Sequence, residues 1–193
     1  MAQSSYHDLA KPAEKPNSVQ LFVTCMIEAI RPEVGMAVVR VLKRLGVQIE
    51  FPTDQTCCGQ PAFNAGAVPD ARAMARHTLD VLSRSASPIV TPSGSCADML
   101  VHQYPAILAG DAHYGPLAEQ IAARTYEFSQ FLVDVLGVTE ADLAQFAQNK
   151  ADTADQSITY HPSCHLMRGL NVNDAPRQLL QAVGQHLRQT TTF

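Results

Sequence analysis

Residues 20–24 read Gln-Leu-Phe-Val-Thr, a short apolar run that ends at Cys25 and predicts a buried strand. Over 32–45, Val34, Val38, Val41, Leu42 and Leu45 fall at helical spacing, and Gly46 marks the stop. Residues 47–51 alternate apolar and polar side chains as a second strand closed by Pro52. A second amphipathic helix is predicted over 70–84 from Ala71, Met74, Ala75, Thr78, Leu79 and Leu82. A third strand over 88–91 runs into the turn 92–95, and Cys96 opens a helix to about His102.

Further along, Leu117, Ile121, Thr125, Phe128, Leu132 and Val135 predict one long helix over 117–136, stopped by Gly137. A short helix is expected over 142–148 and a polar linker over 149–156. Residues 157–160 then read as a strand, Cys164 follows, and Leu179, Leu180, Val183 and Leu187 predict a helix over 175–187. The alternation of strand and helix argues for the α/β class: a parallel, helix-covered sheet, Rossmann-like and three-layered. We divide the chain into a polar, flexible lead-in over 1–18, a first unit with its helical connection over 19–150, and the start of a similar second unit over 151–193.

Composition narrows the possibilities. Apolar residues make up 46% of the 193 and charged ones 17%, which is globular rather than disordered. A net charge of −4 offers no basic footprint for nucleic acid or anionic membrane. No apolar run approaches the ~20 residues of a bilayer span, and residues 1–18 lack the apolar stretch of a secretory signal. Five cysteines without an export signal point to a reducing, cytoplasmic setting, where thiols act as ligands or reactive groups.

Four of those cysteines form a pattern. Cys25 comes first, Cys57 and Cys58 are adjacent and followed by Gly59, and Cys96 comes last, with long intervals on either side of the pair. Cys25, the Cys57-Cys58 pair and Cys96 each follow a predicted strand, and in open α/β sheets ligands gather beyond the carboxyl ends of strands. The reading therefore gathers four distant thiols at one edge. Thiolates suit iron–sulfur clusters, zinc or Cu(I). A direct Cys-Cys fits the usual zinc spacing less well, and buried core thiols are the bland alternative. Gly59 and Gly94 are expected to let backbone approach the sulfurs. His161 and His165 flank Cys164 and read as turn histidines satisfying backbone groups, with one as a cluster neighbour or proton carrier the sharper alternative; Arg168 reads as a surface residue, with pairing to an anionic substrate or a partner carboxylate the alternative. The chain has no carboxylate pair, Gly-rich phosphate loop or Ser–His–Asp arrangement that would carry catalysis.

The stretches Leu21-Phe22-Val23-Thr24-Cys25, Cys57-Cys58-Gly59-Gln60-Pro61-Ala62-Phe63-Asn64, Pro92-Ser93-Gly94-Ser95-Cys96, Thr125-Tyr126-Glu127-Phe128 and Tyr160-His161-Pro162-Ser163-Cys164-His165 resemble the cysteine-rich CCG-domain proteins. Within them the likeness is greatest to the lactate-utilisation iron–sulfur subgroup. The iron–sulfur subunit of glycolate oxidase and the B subunit of heterodisulfide reductase are related. The resemblance implies a [4Fe–4S]-type cluster held by Cys25, Cys57, Cys58 and Cys96, with Cys164 as the first ligand of a second repeat. It implies an electron-transfer subunit that works with sister iron–sulfur subunits in oxidising L-lactate or a glycolate-like 2-hydroxy acid. A thiol-disulfide redox subunit or an inactive metal-binding module are the alternatives. Many members carry Cys-x-x-Cys where this chain has Ser93 to Cys96, so four thiols rather than five are available to the first site. If the interval between Cys25 and Cys57 is repeated after Cys164, a second Cys-Cys pair is expected beyond Phe193, which makes the second repeat a truncated one.

Overall fold

The computed structural model describes residues 14–144, 157–182 and 186–187. Four parallel strands form its main sheet: β1 (Ser18–Leu21), β2 (Gln48–Glu50), β3 (Ile89–Thr91) and β4 (Thr125–Glu127), in the order β2-β1-β3-β4. Val19 pairs with Ile49, Leu21 with Val90, and Val90 in turn with Tyr126. From β1 the chain crosses to β2 on one side, then returns to β3 on the other, so the winding reverses between β1 and β3.

Helices cover both faces, and strand alternation decides which side chain meets which layer. Val19, Leu21 and Val90 join Val38 and Leu42 of helix α2 (Pro32–Arg44) and Phe131 and Leu132 in one core. Phe22 and Ile89 point the other way, to Ala71, Ala75, Leu79 and Leu82 of α4 (Val68–Leu82) and to Met99, Leu100, Tyr104 and Ile121. The expected three-layer α/β fold is therefore present. Helix α2 begins on Pro32, carries Lys43 and Arg44 against its negative end, and stops in a Schellman turn. There the Val47 N–H reaches the Leu42 carbonyl at 3.0 Å across Gly46, whose φ is +79°.

Two short helices escaped the periodicity reading: α1 (Cys25–Ile30), which Cys25 opens, and α3 (Gln60–Asn64), which follows the Cys-Cys-Gly loop. The helix at Cys96 starts two residues earlier than expected and runs further. It comprises α5 (Gly94–Asp98), a π-helical turn Met99–Gln103 and α6 (Tyr104–Leu108). Pro105 has no N–H for the turn before it, and the wider π turn absorbs that break.

The single helix expected over 117–136 is not formed. Helix α7 (Tyr114–Ala122) ends before β4, and a new helix starts at α8 (Phe128–Gln130), continuing as the π-helical turn Phe131–Val135. Thr125 breaks the helix by bonding back to the Ile121 carbonyl at 2.7 Å, and Glu127 caps the next one by accepting from the N–H groups of Ser129 and Gln130. The apolar spacing matched helices on both sides of a strand.

Beyond the main sheet lie α9 (Glu140–Ala144), β5 (Ser157–Ile158), the π-helical turn His165–Gly169, α10 (Asp174–Ala182) and β6 (His186–Leu187). The expected helix over 175–187 is shorter: α10 spans Asp174–Ala182, and Leu187 belongs to β6 and pairs in parallel with Ile158. The expected linker over 149–156, most of the helix over 142–148 and residues 1–13 of the expected lead-in over 1–18 lie outside the described residues, while Ser18, the last residue of that lead-in, begins β1.

The turn His165–Gly169 docks across α5. A methyl on Gly94 would sit 2.6 Å from Leu166 Cβ and 3.1 Å from its Cα. A methyl on Gly169 would sit 2.6 Å from Asp98 Oδ1. Buried Asp98 joins the two segments: it accepts from His102 Nδ1 at 2.8 Å and from His165 Nδ1 at 2.7 Å. Burial pushes its carboxyl up, but the two imidazole hydrogen bonds outweigh that and hold it below its ordinary value.

Two outcomes follow from this docking. Gly94→Ala forces backbone apart and should cost about 1–3 kcal/mol in urea unfolding, whereas Gly110→Ala, with open space around it, should cost nothing. Equal stability of the two variants would refute the close approach. Because the folded pKa of Asp98 is depressed, its contribution is present above the ordinary carboxylate range and disappears as pH falls through the lower folded value. Below about pH 4, the stability of the wild type should therefore fall more steeply than that of Asp98→Asn. Parallel profiles from pH 5 to pH 2 would rule this out.

Candidate metal centre

The winding reverses between β1 and β3, and in this architecture ligands usually sit beyond the carboxyl edge of the sheet at such a point. Cys25 begins the helix that follows β1, with Thr24 as its N-cap, its Oγ1 accepting from the Ile27 N–H at 3.3 Å. The Cys57-Cys58 loop follows β2, and Cys96 sits in the first turn after β3. The structure brings these four sulfurs together: Cys25 Sγ is 3.5 Å from Cys57 Sγ, Cys58 Sγ is 3.3 Å from Cys96 Sγ, and Cys57 also bonds to Cys58. Cys164 is exposed, just before the His165–Gly169 turn.

The pairs differ in environment. Cys58 and Cys96 are buried at 3% and 6% exposure, while Cys25 and Cys57 are half-buried. The hydrogen bond to Cys96, reinforced by burial, pushes the Cys58 thiol up, and the same bond holds Cys96 below its ordinary value. Within the buried pair, Cys58 is thus the more reluctant to lose its proton and Cys96 the readier. Burial, with the bond to Cys57, raises Cys25. Backbone N–H groups of Met26 and Gln60 work the other way, favouring thiolate at Cys25 and Cys58.

The loop carrying the adjacent cysteines is fixed from several sides. Gly59 has φ +83°, and a Cβ there would lie 3.3 Å from Met74 Cβ, so this position requires glycine. The fully buried Tyr104 hydroxyl donates to the Cys58 carbonyl at 2.8 Å. Gln60 Nε2 donates to the Ser95 carbonyl at 3.1 Å and stands 3.5 Å from His165 Nε2. Gly94 serves differently from expectation: its missing side chain admits Leu166 rather than a sulfur. Ser93, where many relatives were expected to carry a further cysteine, is the N-cap of α5, its Oγ accepting from the Cys96 N–H at 3.4 Å.

His165 does not satisfy backbone groups; its imidazole bonds Asp98 and faces Gln60. His161 and Arg168 are exposed. Gln55, Gln60, Asp98 and Tyr104 were not foreseen in the sequence. The only local signal was proximity, since Gln55, Gln60 and Asp98 each lie within two residues of a cysteine of the group.

Among the described residues, no group of three or more His, Cys, Asp or Glu side chains is arranged to hold a single metal ion. The sulfur contacts instead run in a chain, from Cys25 to Cys57, Cys58 and Cys96. The donor set is nevertheless all sulfur, with backbone N–H groups directed at it, which matches a soft, multi-iron cluster better than a hard cation. As two touching thiol pairs, the same atoms also suit disulfide chemistry.

Residues 19–101 and 158–192 match the CCG cysteine-rich domain. The chain is 47% identical over 165 residues to Lactate utilization protein A of Geobacillus kaustophilus, covering 86% of this chain and 64% of that protein. Against Lactate utilization protein A of Anoxybacillus flavithermus it is 46% identical over 166 residues, covering 86% and 65%. The protein of the same name in Oceanobacillus iheyensis is 42% identical over 165 residues, covering 86% and 63%. The chain thus spans a little under two thirds of the length of these relatives. With its matched segments covering most of the sequence and its cysteine loops at the sheet edge, the chain belongs to the CCG cysteine-rich domain family.

Proposed function

We propose that the chain is an iron–sulfur electron-transfer unit of an assembly that oxidises L-lactate or a similar 2-hydroxy acid. The convergence of Cys25, Cys57, Cys58 and Cys96 at the winding reversal carries this reading. The names of the relatives support the substrate class. Those four thiolates would hold a [4Fe–4S]-type cluster, which supplies one-electron transfer when bound.

The chain's own residues do the rest. Met26 and Gln60 N–H groups stabilise negative charge on sulfur. The burial of Cys58 and Cys96 keeps water from one side, while half-buried Cys25 and Cys57 face the route by which electrons enter or leave. Removal of hydrogen from the hydroxy acid falls to a sister subunit, since no flavin or nicotinamide fingerprint occurs in this sequence. Cys164, exposed and from the second repeat, is left out of this first site's donor set. No helix among the described residues is long and apolar enough to cross a membrane. We place the assembly in the reducing cytoplasm, where unpaired cysteines persist.

A second reading rests on the half-buried Cys25–Cys57 contact, which suits direct thiol-disulfide exchange. Turnover of a small disulfide by the isolated chain would favour it.

Anaerobic reconstitution with iron and sulfide should give roughly four of each per chain, as a four-cysteine cluster requires, with a visible charge-transfer band and an EPR signal on reduction. Cys57→Ser should lose most of that uptake and Cys164→Ser should keep it. A wild-type chain that takes up neither iron nor sulfide would sink the cluster reading and leave thiol-disulfide exchange or an inactive module.

A further inference from the structure

β1 ends at Leu21, and its last partner on the β2 side is Glu50, paired with Gln20. The backbone beyond continues without that strand. The Phe22 N–H turns to β3, reaching the Val90 carbonyl at 2.9 Å. On the opposite edge, the side chain of Gln55 takes the place of a neighbouring strand. Its Oε1 accepts from the Val23 N–H at 2.9 Å and its Nε2 donates to the Leu21 carbonyl at 3.3 Å. A primary amide has the acceptor and donor for this, as a peptide group does. Cys25 lies two residues past Val23, Cys57 lies two residues past Gln55, and their sulfurs are 3.5 Å apart.

The loop is also held from behind. The Asp54 carbonyl lies 2.8 Å from His77 Nε2, and the Asp54 carboxylate meets the Arg84 guanidinium at 2.5 Å. Both anchors are to the far side of the loop, on or just beyond α4. Gln55 supplies the link toward β1.

We propose that Gln55 is the positioning residue of the cysteine site: its amide clamps the Cys57 loop to the end of β1 and thereby sets the Cys25–Cys57 separation. The inference rests on reading those thiols as donors of one site, but the clamp is testable without any cluster. Gln55→Met keeps the length and removes both hydrogen bonds. Gln55→Glu keeps the acceptor for Val23 and loses the donor to Leu21.

The test uses the full chain before iron is supplied. Diamide oxidises paired thiols: two S–H bonds become one S–S bond, and the reagent takes up both electrons and both protons as its hydrazine. Peptide mapping follows the rate of the Cys25–Cys57 bond, and iodoacetamide labelling of Cys58 and Cys96 reports any general loosening. Misplacing reacting groups by about an ångström costs on the order of 10–100-fold in rate. Gln55→Met should slow the cross-link at least about tenfold, with Gln55→Glu between it and the wild type, and labelling of Cys58 and Cys96 should stay within about twofold. An unchanged or faster cross-link overturns the clamp, and so does a slowing matched by faster labelling of the buried pair. Iron and sulfide uptake by the wild type is scored separately. A chain that shows the Gln55 effect yet binds no iron refutes the cluster reading alone. A chain that binds iron with cross-linking indifferent to position 55 refutes the clamp alone.

Discussion

Parallel strands in one sheet all end at the same edge, and the placement of every thiol in the central group depends on that constraint. Cys25, the Cys57-Cys58 loop and Cys96 are far apart in the chain, yet each directly follows a strand of the same direction. Burial of β1 and β3 beneath helices on both faces keeps those strands in register. The crossovers then leave a gap where the winding reverses, and the short turns after each strand project into it. Nothing local to a cysteine draws it toward the others; the apolar layers do so by fixing the strands.

The same constraint explains why so much of this arrangement was legible from residues alone. The runs at 20–24 and 88–91 were clear because buried central strands tolerate few polar residues, the alternation at 47–51 was clear as a partly exposed edge strand, and each ended in a cysteine or led to one. β4 was hidden because Ile121, Phe128 and Leu132 keep a helical rhythm through it, and the break depends on Thr125 and Glu127 bonding to backbone. The polar framework was not legible at all. Gln55, Asp98 and Tyr104 each act on a group remote in the chain: the Leu21 carbonyl, the His165 imidazole and the Cys58 carbonyl. Sequence shows that such a residue can bond, and only the packed chain decides to what.

The two thiol pairs are not equivalent, and the difference arises from layers rather than from the cysteines themselves. Cys58 and Cys96 belong to the apolar cluster of Phe22, Ala71 and Tyr104, so their Sγ–Sγ hydrogen bond lies away from water. Cys25 and Cys57 stand at the open rim. A site so built has a protected floor and an accessible lip. The segment around His165, docked over α5 through Asp98 and two glycines, forms one wall of it, which ties residues after 157 to a centre whose thiols all come from before 97.

Ser93 turns this into a choice between two uses of one position. Its oxygen starts α5 by accepting the amide of Cys96, and so steadies the turn on which a thiol is mounted. Sulfur is a poorer acceptor than hydroxyl oxygen. A cysteine there would add a fifth soft donor while loosening the mount of the fourth. Ligand number and helix rigidity compete for this one side chain, and in this chain rigidity has it.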